Sequence, residues 1–245
     1  MNGANEIYLS VVIPAYNEAH RIAATLKTVS DYLKTKEFKS EIIVVDDGSV
    51  DGTRETAEAS ITSNILCLTI GDKINRGKGY ALKQGFAAAS GKFILFTDAD
   101  LSVAPEEFDK FLPYLEKGYD MVIGSRKLPE SVVAIHQPKW REFCGRMFYR
   151  IVFAFLINGK IDLNCGFKAY SCDAAKKLYS KLTIYRWGFD TEIIYLAQKY
   201  GYKIKEAAVT WSDRRGSKVR LFSAVFTTLF EMLKIKINDL TGKYN

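Results

Sequence analysis

Five short apolar runs divide the first 125 positions: LSVVIP (9–14), EIIVVD (41–46), ILCLTI (65–70), KFILFTD (92–98) and DMVIGS (120–125). Almost every position in them is apolar and many are β-branched, the pattern of strands covered on both faces in a parallel sheet. Stretches of mixed polarity at 18–36, 51–60, 77–90 and 105–117 lie between the runs and read as amphipathic helices. Such alternation predicts a doubly wound, mostly parallel α/β sheet. Gly48, Gly52, Gly71 and Gly91 punctuate the joints; Asp51 can cap the helix that follows it, and Pro105 suits a first helical turn. After residue 125 the rhythm breaks. Residues 126–141 read as a loop and 142–158 as an aromatic-rich basic helix. A strand (166–171), two helices (173–180 and 189–200), a strand (203–210) and a terminal helix (220–236) follow.

Composition narrows the class. Hydrophobic residues make up 48% of the 245, enough for a full core, so disorder is expected only at the ends. Cys67, Cys144, Cys165 and Cys172 form no CxxC pair and read as reduced thiols. No run reaches the roughly 18 uninterrupted apolar residues of a membrane span. The N-terminus lacks the cationic-then-apolar layout of a signal peptide, so a cytoplasmic location is expected. The formal charge of +7 suits nucleic acid, anionic lipid or phosphorylated substrates. Its excess sits late, in Lys139, Arg141, Arg146, Arg150 and the run Arg214-Arg215-Gly216-Ser217-Lys218-Val219-Arg220. No helix-turn-helix, RRM or zinc pattern accompanies it, which argues against nucleic acid.

Open α/β sheets bind ligands beyond the carboxyl ends of their strands. Four predicted strands end in chemically active residues: Pro14-Ala15-Tyr16-Asn17-Glu18, Asp46-Asp47-Gly48-Ser49, Asp98-Ala99-Asp100 and Gly124-Ser125-Arg126. Two acids flanking a small residue can face one Mg²⁺ or Mn²⁺, which takes one or two carboxylates plus phosphate oxygens. Such an ion neutralises a diphosphate leaving group. Taken alone, the acid pair is equally a helix cap, and Arg126 a surface salt bridge. Gly71 to Lys78 nearly spells a P-loop, but five residues instead of four precede Gly77 and no Ser or Thr follows Lys78. A dinucleotide-binding GxGxxG is also absent after the first strand, where PAYNE stands.

PAYNE, VVDDGSxDGT, NRGKGYAL and the DAD after ILFT resemble glycosyltransferase family 2 in order and spacing, over residues 8–130. Asn164-Cys165-Gly166-Phe167-Lys168 and Trp187-Gly188-Phe189-Asp190-Thr191-Glu192 resemble its polyprenyl-phosphate branch, the dolichyl-phosphate β-glucosyltransferases in particular. The resemblance implies a GT-A-type fold in one domain, with a nucleotide-sugar half at 1–130 and an acceptor half at 131–245. It implies that Tyr16 lies against the base and Asp47 hydrogen-bonds it, with Pro14, Ala15 and Glu18 in the same motif and Lys78 beside the nucleotide. Asp100 would be the principal metal ligand, Asp98 would lie nearer the ribose or a metal-bound water, and Ala99 would sit between them. Arg126 would face the diphosphate. Leu101-Ser102 after the acid pair resembles the glucosyl enzymes more than the mannosyl ones, which favours UDP-glucose over GDP-mannose.

Transfer to a hydroxyl requires a base, whereas a phosphate monoester is already ionised at neutral pH. The C-terminal half offers Lys168, Arg214, Arg215, Lys218 and Arg220 as cations, and Arg215-Gly216-Ser217-Lys218 resembles the basic loop that faces acceptor phosphate in this branch. Asp190 or Glu192 would be the base if the acceptor were a hydroxyl. Residues 140–157 mix aromatics with Arg146 and Arg150 one turn apart, and read as an interfacial helix. Leu221–Leu233, followed by lysines, is a second candidate. Peripheral association with the cytoplasmic membrane face is therefore expected; packing on the sheet or in a homo-oligomer is the plainer reading of either helix. Two other functions fit less well: a family 2 enzyme acting on a glycan or small-molecule hydroxyl, and a nucleotide-binding module without turnover, against which Asp98, Asp100 and Arg126 argue.

Overall fold

The computed structural model describes residues 6–60, 66–135, 156–186, 188–212 and 221–245, with backbone alone for 66, 135 and 221–229. Among them run the strands β1 (Leu9–Ala15), β2 (Ser40–Asp46), β3 (Leu66–Ile70), β4 (Phe93–Thr97), β5 (Met121–Ser125), β6 (Val132–Ile135), β7 (Phe167–Ser171), β8 (Ile204–Ala208) and β9 (Thr210–Ser212). Seven of these form one sheet in the order β3-β2-β1-β4-β7-β5-β8. Every neighbouring pair is parallel except those of β7, which runs antiparallel between β4 and β5. The predicted doubly wound, mostly parallel sheet is therefore present.

Strand periodicity divides the apolar residues between two cores. Val12, Ile43, Val45, Ile94 and Phe96 face one layer, where they meet the helices Lys78–Ala88, Cys172–Lys181 and Phe189–Lys199. Val11, Ile13, Val44 and Leu95 face the other, against the helix Ile22–Lys34 and the segment carrying Phe108 and Phe111. All seven residues of β1 are buried, and all but Ser10 are apolar.

Several boundaries differ from the sequence pattern. The expected helix at 105–117 is a 3-10 turn, Pro105–Lys110, followed by the short helix Leu112–Glu116, with a proline near the start of each. Residues 132–135, expected as loop, form β6, which pairs with β9 in a two-stranded parallel sheet. The single strand expected at 203–210 is thus divided at Val209 into β8 and β9. The terminal helix extends to Leu240. The expected helix at 142–158 lies outside the described residues up to 155; Leu156 and Ile157 are buried and non-helical.

Candidate active site

The carboxyl ends of β1 and β2 are laced together by the polar residues of their motifs. Pro14 and Ala15 close β1, two and three residues past the last position paired with β4. The chain then turns at Asn17, whose φ of 54° is in the left-handed region. Asn17 N–H donates to Ser49 Oγ at 2.9 Å and its Oδ1 accepts the Val50 N–H at 3.0 Å. Glu18 N–H donates to Thr53 Oγ1 at 2.8 Å, and its carboxylate pairs with Arg21 Nε at 2.9 Å. Asp51 accepts the N–H groups of Thr53 and Ala19, both at 3.1 Å, and so ties the start of the next helix to the PAYNE turn; the N-cap position itself is taken by Gly52, not by Asp51 as expected. Tyr16 projects from this turn, exposed.

Asp47, buried at the end of β2, organises the NRGK turn. Its carboxylate accepts Asn75 Nδ2 at 2.9 Å, Arg76 N–H at 3.0 Å and Gly77 N–H at 2.8 Å. Burial raises its pKa against the pull of the Arg76 and Gly77 N–H groups. Gly77 has φ 110°, and a Cβ there would lie 2.4 Å from the Tyr185 carbonyl oxygen.

Lys78 opens the next helix and points its Nζ at Asp98 Oδ1, 2.5 Å away, over the Phe96 ring. Burial opposes the Lys78 charge, but Asp98 and Asp190 hold its pKa above the ordinary lysine value. Burial raises the pKa of Asp98, and Asp100 and Asp190 add to the shift while Lys78 opposes it. Asp100 Oδ1 accepts the Ser102 N–H at 2.9 Å, across Leu101 at φ 47°. Asp100 makes no other hydrogen bond or ion pair among the described residues. Lys168, the second residue of β7 and almost wholly buried, pairs with Asp190 at the start of the helix Phe189–Lys199. Two lysines and three aspartates thus surround the end of β4.

Arg126 follows β5 and is gripped by Asp162, which the sequence reading had not singled out. Nε and Nη2 meet the two carboxylate oxygens at 2.8 Å each, and the Arg126 N–H donates at 3.0 Å. Burial alone would raise the Asp162 pKa; Arg126 outweighs it and brings the carboxyl down to about 2. The guanidinium also lies 5.3 Å from the centre of the Trp211 ring. The only hint of Asp162 was an acid within the apolar Ile161–Leu163 stretch.

The two carboxylates considered as bases are both engaged. Asp190 pairs with Lys168. Glu192 is fully buried and accepts Thr183 N–H, Thr183 Oγ1, Ile184 N–H and Tyr244 Oη. Arg215 and Lys218 lie outside the described residues. Ser212 and Trp211, the last described residues before them, lie next to the acid pair in the fold: Ser212 N–H donates to Ser102 O at 2.9 Å and Val103 bridges to Trp211.

The acid pair fits a hard divalent cation. No group of three or more potential metal ligands occurs among the described residues. One open carboxylate with a second beside it is nonetheless the donor set that Mg²⁺ or Mn²⁺ uses when phosphate oxygens supply further ligands.

A mostly parallel sheet with the PAYNE and VVDDGS motifs at the ends of β1 and β2 and an acid pair at the end of β4 is the layout of a GT-A-type glycosyltransferase. Residues 10–179 match the glycosyl transferase family 2 model, and the chain belongs to that family. It is 35% identical to the dolichyl-phosphate beta-glucosyltransferase of Dictyostelium discoideum, over 98% of this chain and 77% of that one. For the enzymes of the same name from Homo sapiens and Saccharomyces cerevisiae the identities are 32% and 33%, over 96% and 98% of this chain and 77% of each relative. Among solved structures, glucosyl-3-phosphoglycerate synthase from Mycobacterium tuberculosis with Mn²⁺, UDP and glucosyl-3-phosphoglycerate has a TM-score of 0.67. That alignment spans 95% of this chain and 80% of the other at 21% identity, a likeness of fold.

Proposed function

We propose that the chain transfers glucose from UDP-glucose to the phosphate of a dolichyl-type polyprenyl phosphate, with inversion at the anomeric carbon. Relatives named dolichyl-phosphate beta-glucosyltransferase, matched over nearly the whole of this chain, support glucose as the sugar and dolichyl phosphate as the acceptor. The structural observation that carries the acceptor class is the engagement of both acceptor-side carboxylates, Asp190 by Lys168 and Glu192 by four donors from three residues. A hydroxyl nucleophile needs a group to take its proton, whereas a phosphate dianion brings none.

In the transfer, a phosphate oxygen attacks glucose C1 from the face opposite UDP. The bond from C1 to the UDP oxygen breaks and UDP departs with the electron pair. Asp100 and Asp98 would hold a divalent cation, which when bound would neutralise the leaving diphosphate; the Mn²⁺ with UDP-glucose in the mycobacterial enzyme is consistent with this assignment. Lys78 holds Asp98, and Asp162 orients Arg126 towards the diphosphate. Tyr16 covers the base beside the turn that Asp47 organises. Arg215 and Lys218 meet the acceptor phosphate at the cytoplasmic membrane face. Charge-assisted hydrogen bonds are the interactions that suit this last role.

The test is a donor and acceptor panel: UDP-glucose and GDP-mannose, each with a short polyprenyl phosphate in detergent, 3-phosphoglycerate or free sugars. Glucosyl transfer to the polyprenyl phosphate is expected, with substantial turnover retained by Asp190→Asn and acceptor use lost in Arg215→Ala and Lys218→Ala. Transfer only to hydroxyl acceptors, or a dead Asp190→Asn beside wild-type basic-segment variants, would refute the reading.

A further inference from the structure

The helix Leu221–Leu240 carries two apolar faces. Met232, Ile235 and Asn238 are buried and turn inwards. Phe230, Leu233, Ile237 and Leu240 recur at steps of three and four residues and point the other way, 72%, 61%, 58% and 86% exposed. At a rise of about 1.5 Å per residue they make an apolar stripe about 15 Å long.

The charges around the stripe are sorted by sign. The acids of this segment turn to the protein: Glu231 accepts the Gly188 N–H at 2.8 Å, and Asp239 takes the Tyr195 hydroxyl and the Lys199 ammonium. Lys234 and Lys236 flank the stripe on opposite sides, and Lys243 follows it; all three are exposed. Lys234 reaches back to Thr183 O at 3.3 Å and Lys236 lies over the Tyr195 ring, so each covers a border of the stripe with its apolar stem. The outward face is therefore apolar with a purely cationic rim.

We infer that this stripe docks the protein on an anionic lipid bilayer, with Phe230, Leu233, Ile237 and Leu240 in the headgroup–acyl boundary and the lysines among the headgroups. The charge sorting selects that occupant. A second copy pairing along the same stripe would use Phe230 and Ile237 as a positions and Leu233 and Leu240 as d positions of a heptad. The flanking e and g positions would then be Lys234, Thr241, Lys236 and Lys243, with no acid to pair across the seam in either orientation. An anionic surface satisfies both the stripe and its rim.

Location ties the surface to the proposed acceptor reaction, on which this part of the inference rests. The helix begins at Leu221, at the end of the segment that starts from Ser212 beside Ser102. The docked helix thus follows directly in the chain on the run Arg214–Arg220 to which the acceptor phosphate is assigned.

Co-sedimentation of the full chain with vesicles tests this, using phosphatidylcholine alone and phosphatidylcholine mixed with phosphatidylglycerol. The wild type is expected to bind the mixed vesicles, less so as salt rises. Leu233→Ser with Ile237→Ser should weaken that binding by about tenfold or more, with melting temperature, UDP affinity and turnover on detergent-dispersed polyprenyl phosphate unchanged. Phe230→Trp, which keeps the surface apolar, should gain quenching by a brominated lipid over that of the parent protein. The inference falls if the wild type ignores the mixed vesicles or the double variant binds them normally. It also falls if the substitutions dissociate an oligomer, the mark of a second copy, or lower the melting temperature without touching vesicle binding, the mark of cover by the chain's own residues. Failure of the acceptor assay with vesicle binding intact would refute the lipid-phosphate reading alone.

Discussion

At the scale of single residues, the acid pair divides its labour. Asp98 is held by Lys78 at 2.5 Å, whereas Asp100 spends one oxygen on the Ser102 N–H and keeps the other open among the described residues. We therefore propose Asp100 as the principal ligand for a hard cation, the role the family resemblance gives it. Asp100→Ala is expected to lower glucosyl transfer by at least ~100-fold, the scale of losing several kcal/mol of leaving-group stabilisation. EDTA should abolish transfer and Mn²⁺ or Mg²⁺ restore it; full turnover in EDTA would remove the metal from the mechanism. The family resemblance proposes Asp47 as a nucleotide contact; the structure shows that it holds the Asn75–Gly77 turn. That second role depends on a neighbour 28 residues away, which no local pattern reports.

At the scale of elements, the insertion of β7 between β4 and β5 shapes the site. It sets Gly166, just before β7, against the end of β4, where Asp98 N–H donates to Gly166 O at 3.2 Å. A Cβ on Gly166 would lie 1.8 Å from Asp98 Oδ2, so only glycine leaves room for that carboxylate. Gly166→Ala should displace Asp98 and lower kcat by roughly 10- to 100-fold, the scale of a misplacement near 1 Å. The fold should persist, since the pressure falls on a side chain at a strand end. Wild-type kcat in a folded Gly166→Ala protein would show that the position of Asp98 is unimportant. The same strand carries Lys168 to Asp190, joining β7 to the helix that borders the site.

At the scale of the whole molecule, the Arg126–Asp162 pair joins the end of β5 to the segment that precedes β7, and its strength should appear in global stability. The Asp162 carboxyl lies at about 2 in the fold against 3.8 as a free side chain. A lowered carboxyl pKa stabilises the fold fully above the unfolded value, and that contribution disappears as pH falls towards the folded value. Urea unfolding should therefore show a loss of about 2 kcal/mol between pH ~4 and ~2 that Asp162→Asn lacks. Identical pH profiles for the two proteins would assign the acid sensitivity elsewhere.

By itself, the sequence determined the layering, the strands of the first half and the identity of the strand-end motifs. Those features are local: an unbroken apolar run specifies a buried strand, and Pro, Gly and Asp mark the turns where such strands end. The split of 203–210 and the pairing of β6 with β9 were not legible, because a short strand is defined by its partner more than by its own residues. The site followed the same division. Tyr16, Asp98, Asp100 and Lys78 could be named from their motifs, but only the tertiary structure joined Lys78 to Asp98 and Arg126 to Asp162. It also turned Glu192 inwards to Tyr244, and brought Lys168 and Asp190 to the end of β4. It turned one apolar face of the last helix outwards, although its residues would suit a core equally well. Burial and charge partners are properties of elements distant in the chain, and the packing of those elements decided which side chains became chemistry and which became structure.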